Sequence, residues 1–309
     1  MPGALRSLAR LLLSRDPGSL VAEFYRYADP IFASVTGDSG LIDIGWAPEP
    51  ATADLAEAQR ALVRRATAGL PPEGHWLESG SGWGGPAALL ATDHPCLRIT
   101  GLDLSPEHLC TARARAQAAG LAGRVRHHLG DAQAMPFGDS SFDALYAIET
   151  AFHYPDKAAF AREAARVLRP GGQVRIVDFV LQPQHTRPLE RLALAPNLRI
   201  GAMGGLCTAS GWVRLLAEAG FEGIETVDLS AGSIGLLARW AERIEAQRDS
   251  LRAHYPRPIL AYYAAGLRRL AARAPHAPVG YFLLCAHKPR ESPLGGPATS
   301  CGPHAPAGR

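Results

Sequence analysis

The chain has 309 residues, with 32 Lys+Arg against 29 Asp+Glu and a formal net charge of +3. A hydrophobic content of 47% with so little net charge excludes a chain that is disordered over most of its length, and +3 offers little counterion release to a general nucleic-acid binder. The cysteines Cys96, Cys110, Cys207, Cys285 and Cys301 are odd in number and widely spaced, which argues against a zinc site or disulfide framework and for reduced thiols in the cytoplasm.

In chain order, MPGALRSLARLLLSR sets Leu5, Leu8 and Leu12 at helical spacing among Arg6, Arg10 and Arg15, with no acid before Asp16. It reads as an amphipathic helix, the alternative being a transit peptide. Helices are predicted over 17–35, with Leu20, Phe24, Tyr27 and Phe32, and over the Ala-rich 51–68, separated by the loop TGDSGLIDIGWAPEP. From residue 75 the pattern changes to short apolar strands at 75–79, 97–103, 124–129, 142–148 and 173–180. Helices fall between them at about 85–93, 106–119 and 156–168, the last stopped by Pro170 and Gly171 in RPGG. Such alternation predicts an α/β fold with a parallel sheet covered on both faces and ligands beyond the carboxyl ends of the strands. Further on, 189–219 looks helical, 221–229 is a strand, 232–274 is a long helical stretch rich in Leu, Ala and Arg, and 279–288 is a closing strand. The Pro- and Gly-rich end, 289–309, has no apolar periodicity and is expected to be a disordered tail. No apolar run nears the roughly 20 residues of a membrane span.

The first strand of the sheet runs into Glu78-Ser79-Gly80-Ser81-Gly82-Trp83-Gly84-Gly85-Pro86. Glycines let the backbone turn sharply and approach a ligand closely, and the helix that follows offers free N–H groups. Gly80, Gly82 and Gly85 also satisfy G-x-G-x-x-G, so a dinucleotide site is the competing reading. A carboxylate at Glu78, two residues before the first Gly, suits a cationic group better than a pyrophosphate. Asp103 ends the second strand, placed for ribose hydroxyls under either reading. Asp131 follows the third strand, where it could receive an adenine amino group.

ESGSGWGG, GLDLSPEHL, GDAQAMPFGDSSFDALYAIE and RVLRPGG, in this order and spacing over about 75–181, resemble the motifs of Rossmann-like S-adenosylmethionine-dependent methyltransferases. The continuation AIETAFHYPDKAAFAREAARVLRPGGQVRIVDFV is similar to a small-molecule group that includes the erythromycin, rebeccamycin-sugar and tocopherol methyltransferases, and the helical stretch before the last strand looks most like the macrolide O-methyltransferases. GLIDIGWAPE resembles that group's N-L-G-Y-W segment, which closes over the cofactor. The resemblance implies a seven-stranded sheet with an antiparallel last strand, an N-terminal helical segment over 1–70, and a methyltransferase domain over 71–288 with helical lid elements at about 189–215 and 232–275. It implies S-adenosyl-L-methionine as cofactor, S-adenosyl-L-homocysteine as product, no metal, a small-molecule acceptor, and a monomer or homodimer without nucleic-acid or membrane partners.

By the same resemblance Glu78, Gly80, Ser81 and Gly82 hold the methionine end. Asp103 binds the ribose and Leu104 flanks the adenine, Asp131 and Ala132 meet the adenine ring, Trp46 covers the site, and His108 and Glu149 complete the set. Glu78 replaces the commoner Asp, and His108 stands where the group often has Gln, which leaves its ribose contact open. His153, after the fourth strand, and Asp178, near the end of the fifth, are the expected base and its orienting partner for an acceptor hydroxyl. The alternatives are a His that packs against the cofactor and a hydrogen-bonded strand-end acid. Phe24, Tyr25, Phe152, Tyr154, Met203, Trp212, Trp240 and Tyr263 are candidates for an apolar acceptor pocket, each also compatible with plain core. The expected activity is O-methylation of a bulky specialised metabolite such as a macrolide, polyketide or glycoside. C- or N-methylation, a cofactor-binding cyclase and a non-enzymatic regulator remain open.

Overall fold

The computed structural model describes residues 10, 17–186, 202–203, 205–274 and 276–290. The predicted first helix (apart from Arg10), residues 189–201 and 204 of the predicted helical region 189–219, residue 275 of the expected lid element, and the tail from 291 lie outside the described residues.

Seven strands form one sheet in the order β3-β2-β1-β4-β5-β7-β6. These are β1 (Gly74–Ser79), β2 (Leu97–Asp103), β3 (Val125–Leu129), β4 (Phe142–Ile148), β5 (Leu168–Leu181), β6 (Glu222–Asp228) and β7 (Val279–His287). The first five pair in parallel, and β7 runs antiparallel to both β5 and β6, as the motif resemblance implied. Strand order reverses at β1 and β4, so a crevice opens beyond their carboxyl ends. One boundary differs from expectation. The RPGG stop is drawn into β5, where Leu168 pairs with Phe142 before a register shift, so the strand starts earlier than 173.

The helices are α1 (Pro17–Thr36), α2 (Leu55–Thr67), α3 (Gly85–Asp93), α4 (Pro106–Ala118), α5 (Lys157–Val167), α6 (Ala209–Glu218), α7 (Leu237–Ala246) and α8 (Arg257–Ala271). Side-chain caps start several of them. Asp54 accepts from the Glu57 N–H, Ser105 from His108, Asp156 from Ala159 and Thr208 from Gly211. The 232–274 stretch is interrupted by short turns and by Pro256, which leaves α7 and α8 as separate rods.

Three cores follow. Val63, Trp76, Leu90 and Ile99 pack on one face of the sheet, and Phe160, Val167, Trp212 and Leu216 on the other. The third core lies under α1, α7 and α8, where Tyr27, Ile31, Trp240, Leu260 and Tyr281 meet. It sits at the carboxyl end of the sheet because the β6-to-β7 connection is a long hairpin that leaves and re-enters there. No described helix is long and apolar enough to cross a membrane.

Candidate active site

Two cavities lie beyond the carboxyl ends of β1, β2, β4 and β5. The first, about 400 Å³, is lined by the Gly-rich turn and by Asp103, Asp131 and Glu149, and is roofed by Tyr25, Gly40, Ile42 and Asp43. The second, about 500 Å³, is lined by α1 (Phe24, Tyr27, Ile31, Phe32), by Phe152 and Phe179, and by Trp240, Ile259, Tyr263 and Leu270. Tyr25, Ile42 and Glu149 line both, so these three residues are the shared wall.

The turn after β1 is held by the Gly80 and Ser81 N–H groups, which both donate to the Leu102 carbonyl (2.8 and 3.0 Å). Gly80 has φ +74°, and a Cβ there would collide with the Thr150 side chain. At Gly85 a Cβ would collide with the Gly40 backbone, so glycine lets the loop from α1 lie directly on the start of α3. Asp103 accepts from the Gly82 N–H through Oδ2 and from the Ser105 N–H through Oδ1, both at 2.8 Å. Asp131 Oδ1 accepts from the Gln133 N–H at 2.8 Å. Leu104 is 49% exposed at the cavity mouth.

Glu78 is buried, its Oε2 has no hydrogen-bond partner, and burial holds its carboxyl well above the usual range, against the opposing pull of the Tyr146 hydroxyl. Such a group calls for a cationic ligand. The unpartnered Glu78 oxygen, the Gly-rich turn and Asp103 that line the cavity, and the apolar lip at Leu104 together fit an adenosyl amino acid. Of the residues expected to hold the cofactor, all line this cavity except Trp46 and His108. Trp46 points elsewhere. The Arg65 guanidinium lies 4.3 Å over its ring and a Cβ on Gly232 would strike its indole, and the residues of its segment that line the cavity are Gly40, Ile42 and Asp43. His108 sits behind Asp103, with Nε2 3.3 Å from Asp29 Oδ2 and Nδ1 3.9 Å from Asp103 Oδ1.

Glu149 follows β4 with φ +50°, a strained conformation for a residue with a side chain. It is pinned by its own N–H to the Val177 carbonyl (2.8 Å), while Oε1 accepts from the Ile44 N–H (2.7 Å) and the Tyr281 hydroxyl (2.6 Å). Burial pushes its pKa up to about 7.

His153 stands on the short turn Ala151–His153. Its Nδ1 is 3.1 Å from the Ala202 carbonyl, which can only accept, so Nδ1 carries the proton and Nε2 the lone pair. The Tyr25 hydroxyl, 3.2 Å from Nε2, is then the donor. Burial, opposed by the Ala202 contact, lowers the imidazole pKa to about 3, so the ring is neutral. Burial and the charges of Asp103, Asp29 and Glu149 keep Tyr25 protonated. Both ring nitrogens thus have partners other than Asp178. That carboxyl is fully buried and lines neither cavity, and Oδ1 accepts from the Phe179 N–H at 2.8 Å. Burial raises its pKa, and the Lys157 ammonium opposes the rise.

Of the expected acceptor-pocket residues, Phe24, Tyr25, Phe152, Met203, Trp240 and Tyr263 line the second cavity. Tyr154 lines the first, its hydroxyl bonded to Ser79 Oγ at 2.8 Å. Trp212 lies in the core between α5 and α6, under Lys157, and belongs to neither. Sequence reasoning missed Ile259, Tyr262, Leu267 and Leu270 of α8, although their helical spacing was visible. It also missed Asp43, whose one sequence signal is an acid where the N-L-G-Y-W form begins with Asn.

A family model described as "Methyltransferase domain" matches residues 77–176. The chain is 34% identical over 248 residues to a 27-O-demethylrifamycin SV methyltransferase of Amycolatopsis mediterranei, covering 79% of this chain and 88% of that one. It is 31% identical over 215 residues to an erythromycin 3''-O-methyltransferase of Saccharopolyspora erythraea, covering 65% and 69%. Among solved structures, the [4+2]-cyclase SpnF superposes with a TM-score of 0.74 at 26% identity, covering 88% of this chain and 97% of that one.

Proposed function

Since the chain belongs to the S-adenosylmethionine-dependent small-molecule methyltransferases, we propose that it methylates a hydroxyl of a bulky, largely apolar specialised metabolite, with His153 as the proton acceptor. The observation that carries this reading is the shared wall. An apolar cavity large enough for such an acceptor meets the cofactor cavity at Tyr25 and Glu149, beside the unprotonated Nε2 of His153. Neither cavity is lined by a described Lys or Arg, which disfavours a phosphorylated acceptor. The two relatives named above methylate an oxygen, by their names.

In this reading Glu78, Gly80, Ser81 and Gly82 hold the amino-acid end of the cofactor, Asp103 the ribose, and Leu104, Asp131 and Ala132 the adenine. When bound, S-adenosylmethionine supplies an electrophilic methyl on a cationic sulfur. The aromatic walls of the second cavity exclude water and fix the acceptor, and positioning of this kind is worth about 7–11 kcal/mol at near-attack geometry. An acceptor hydroxyl at the wall donates to the Tyr25 oxygen while Tyr25 donates to His153 Nε2, so the proton passes through Tyr25 to the ring. The imidazolium gains the positive charge that the transfer removes, and the net charge of the site is conserved.

The superposition with a cyclase supports a second reading, in which the cofactor is bound and no methyl moves. Mass spectrometry separates the two. Incubation of a panel of hydroxylated polyketides, macrolides and glycosides with the protein and S-adenosylmethionine should give a product heavier by one CH₂, with stoichiometric S-adenosylhomocysteine. A product of unchanged mass without homocysteine release would establish the cyclase instead.

A further inference from the structure

Two carboxylates that the proton transfer does not use line the first cavity, one of them, Glu149, also on the shared wall. Asp43 is only 3% exposed, lines the first cavity, and has no side-chain hydrogen-bond partner on its carboxylate, which is favoured only by its own N–H and that of Gly45. Glu149 lines both cavities and commits only Oε1 to its two hydrogen bonds. Burial, then the charge of Glu149, holds the Asp43 carboxyl well above the usual range. Other titratable groups acting on this pair are Tyr25 from α1, Tyr281 from β7 and Asp178 from β5, and none of them is cationic. Two buried acids without a cation are costly to ionise, so in the free protein they share protons.

Asp43 also departs from the motif that its segment resembles. D-I-G-W stands here where the N-L-G-Y-W form begins with Asn, a neutral residue of the same shape. An amide oxygen could accept from the same backbone N–H groups, so what the acid adds is its charge. A cation at the wall would relieve both carboxylates, and the wall is where a methyl must cross from one cavity to the other.

We infer that Asp43, acting with Glu149, selects charge at the methyl-donor end of the cofactor cavity, favouring the cationic cofactor over its neutral product. This rests on the methyltransferase reading. Its consequence is that transfer weakens the hold on the spent cofactor, because the positive charge moves from the wall to His153.

The test is calorimetric and needs no acceptor. Wild type and Asp43→Asn are titrated with S-adenosylhomocysteine and with sinefungin, which carries an amine in place of the methylsulfonium. Wild type should prefer sinefungin. In Asp43→Asn that preference should fall roughly tenfold, the effect of removing one neighbouring charge, with the affinity for S-adenosylhomocysteine kept or improved. An unchanged preference, or equal loss of both ligands, overturns the inference and leaves the cofactor assignment standing. Binding of neither ligand by wild type overturns the cofactor assignment itself. Should Asp43→Asn not fold, Glu149→Gln gives the same comparison and is judged by the same outcomes.

Discussion

The imidazole of His153 differs from a base oriented by a carboxylate. Its tautomer is set by a main-chain carbonyl, and its lone pair is reached through a tyrosine hydroxyl. A pKa near 3 leaves it unprotonated at any working pH, so its own titration should not shape the pH profile above pH 5 or so. His153→Ala should lower kcat by about 10²–10⁴-fold with cofactor affinity retained. Asp178→Asn should behave differently, because the carboxylate faces Lys157 and the Phe179 amide. We expect it to cost about 1–3 kcal/mol of stability and to reduce turnover far less than His153→Ala. Single-turnover kinetics beside thermal unfolding would show this, and a loss of turnover in Asp178→Asn equal to that in His153→Ala would restore it as the orienting acid.

Among the elements, α1 serves both cavities, since it brings Tyr25 to His153 and forms one side of the apolar cavity. It is tied to α4 by His108 and Asp29. Burial alone would lower the His108 pKa, but the hydrogen bond to Asp29 and the charges of Asp103, Asp29 and Glu107 outweigh it, and the net shift is upward. A raised imidazole contributes stability that is fully present below its unfolded value of about 6.5 and is lost as pH rises through the folded value. The difference in melting temperature between wild type and His108→Gln should therefore shrink between pH 6 and pH 8.5. A difference that holds constant would mean that the ring acts only by packing against Tyr25 and Trp83. The opposite fates of two tryptophans show what was legible at this scale. Trp212 and Trp240 both sit at helical spacing in amphipathic segments, yet one fills the core under β5 and the other faces the cavity. Periodicity finds the buried face of a helix, but not whether that face meets a side chain or a space.

For the molecule as a whole, the sheet was readable because each strand is a short apolar run bounded by its own turn, and the Gly-rich turn with Asp103 and Asp131 lies within one stretch of chain. The shared wall was not, because its residues are held by partners far away in the chain, Tyr25 by His153 at 128 positions and Glu149 by Ile44 at 105 and Tyr281 at 132. No local pattern encodes such pairs. The antiparallel strand at the edge of the sheet has its own bearing on them. Because β6 and β7 are hydrogen-bonded neighbours, everything between Asp228 and Val279 is topologically a loop, and loop closure grows only slowly more costly with length. That stretch can be lengthened, shortened or exchanged without rethreading the sheet. Replacing 230–278 with the matching stretch of the rifamycin relative should leave the affinity for S-adenosylhomocysteine within a few-fold of wild type, read by calorimetry, while moving acceptor preference toward the donor's substrate. An exchange that abolished cofactor binding would show the two halves to be inseparable. The fold thus keeps the lining of the first cavity wholly outside the stretch between β6 and β7, so that stretch can reshape the second cavity while the first stays as it is.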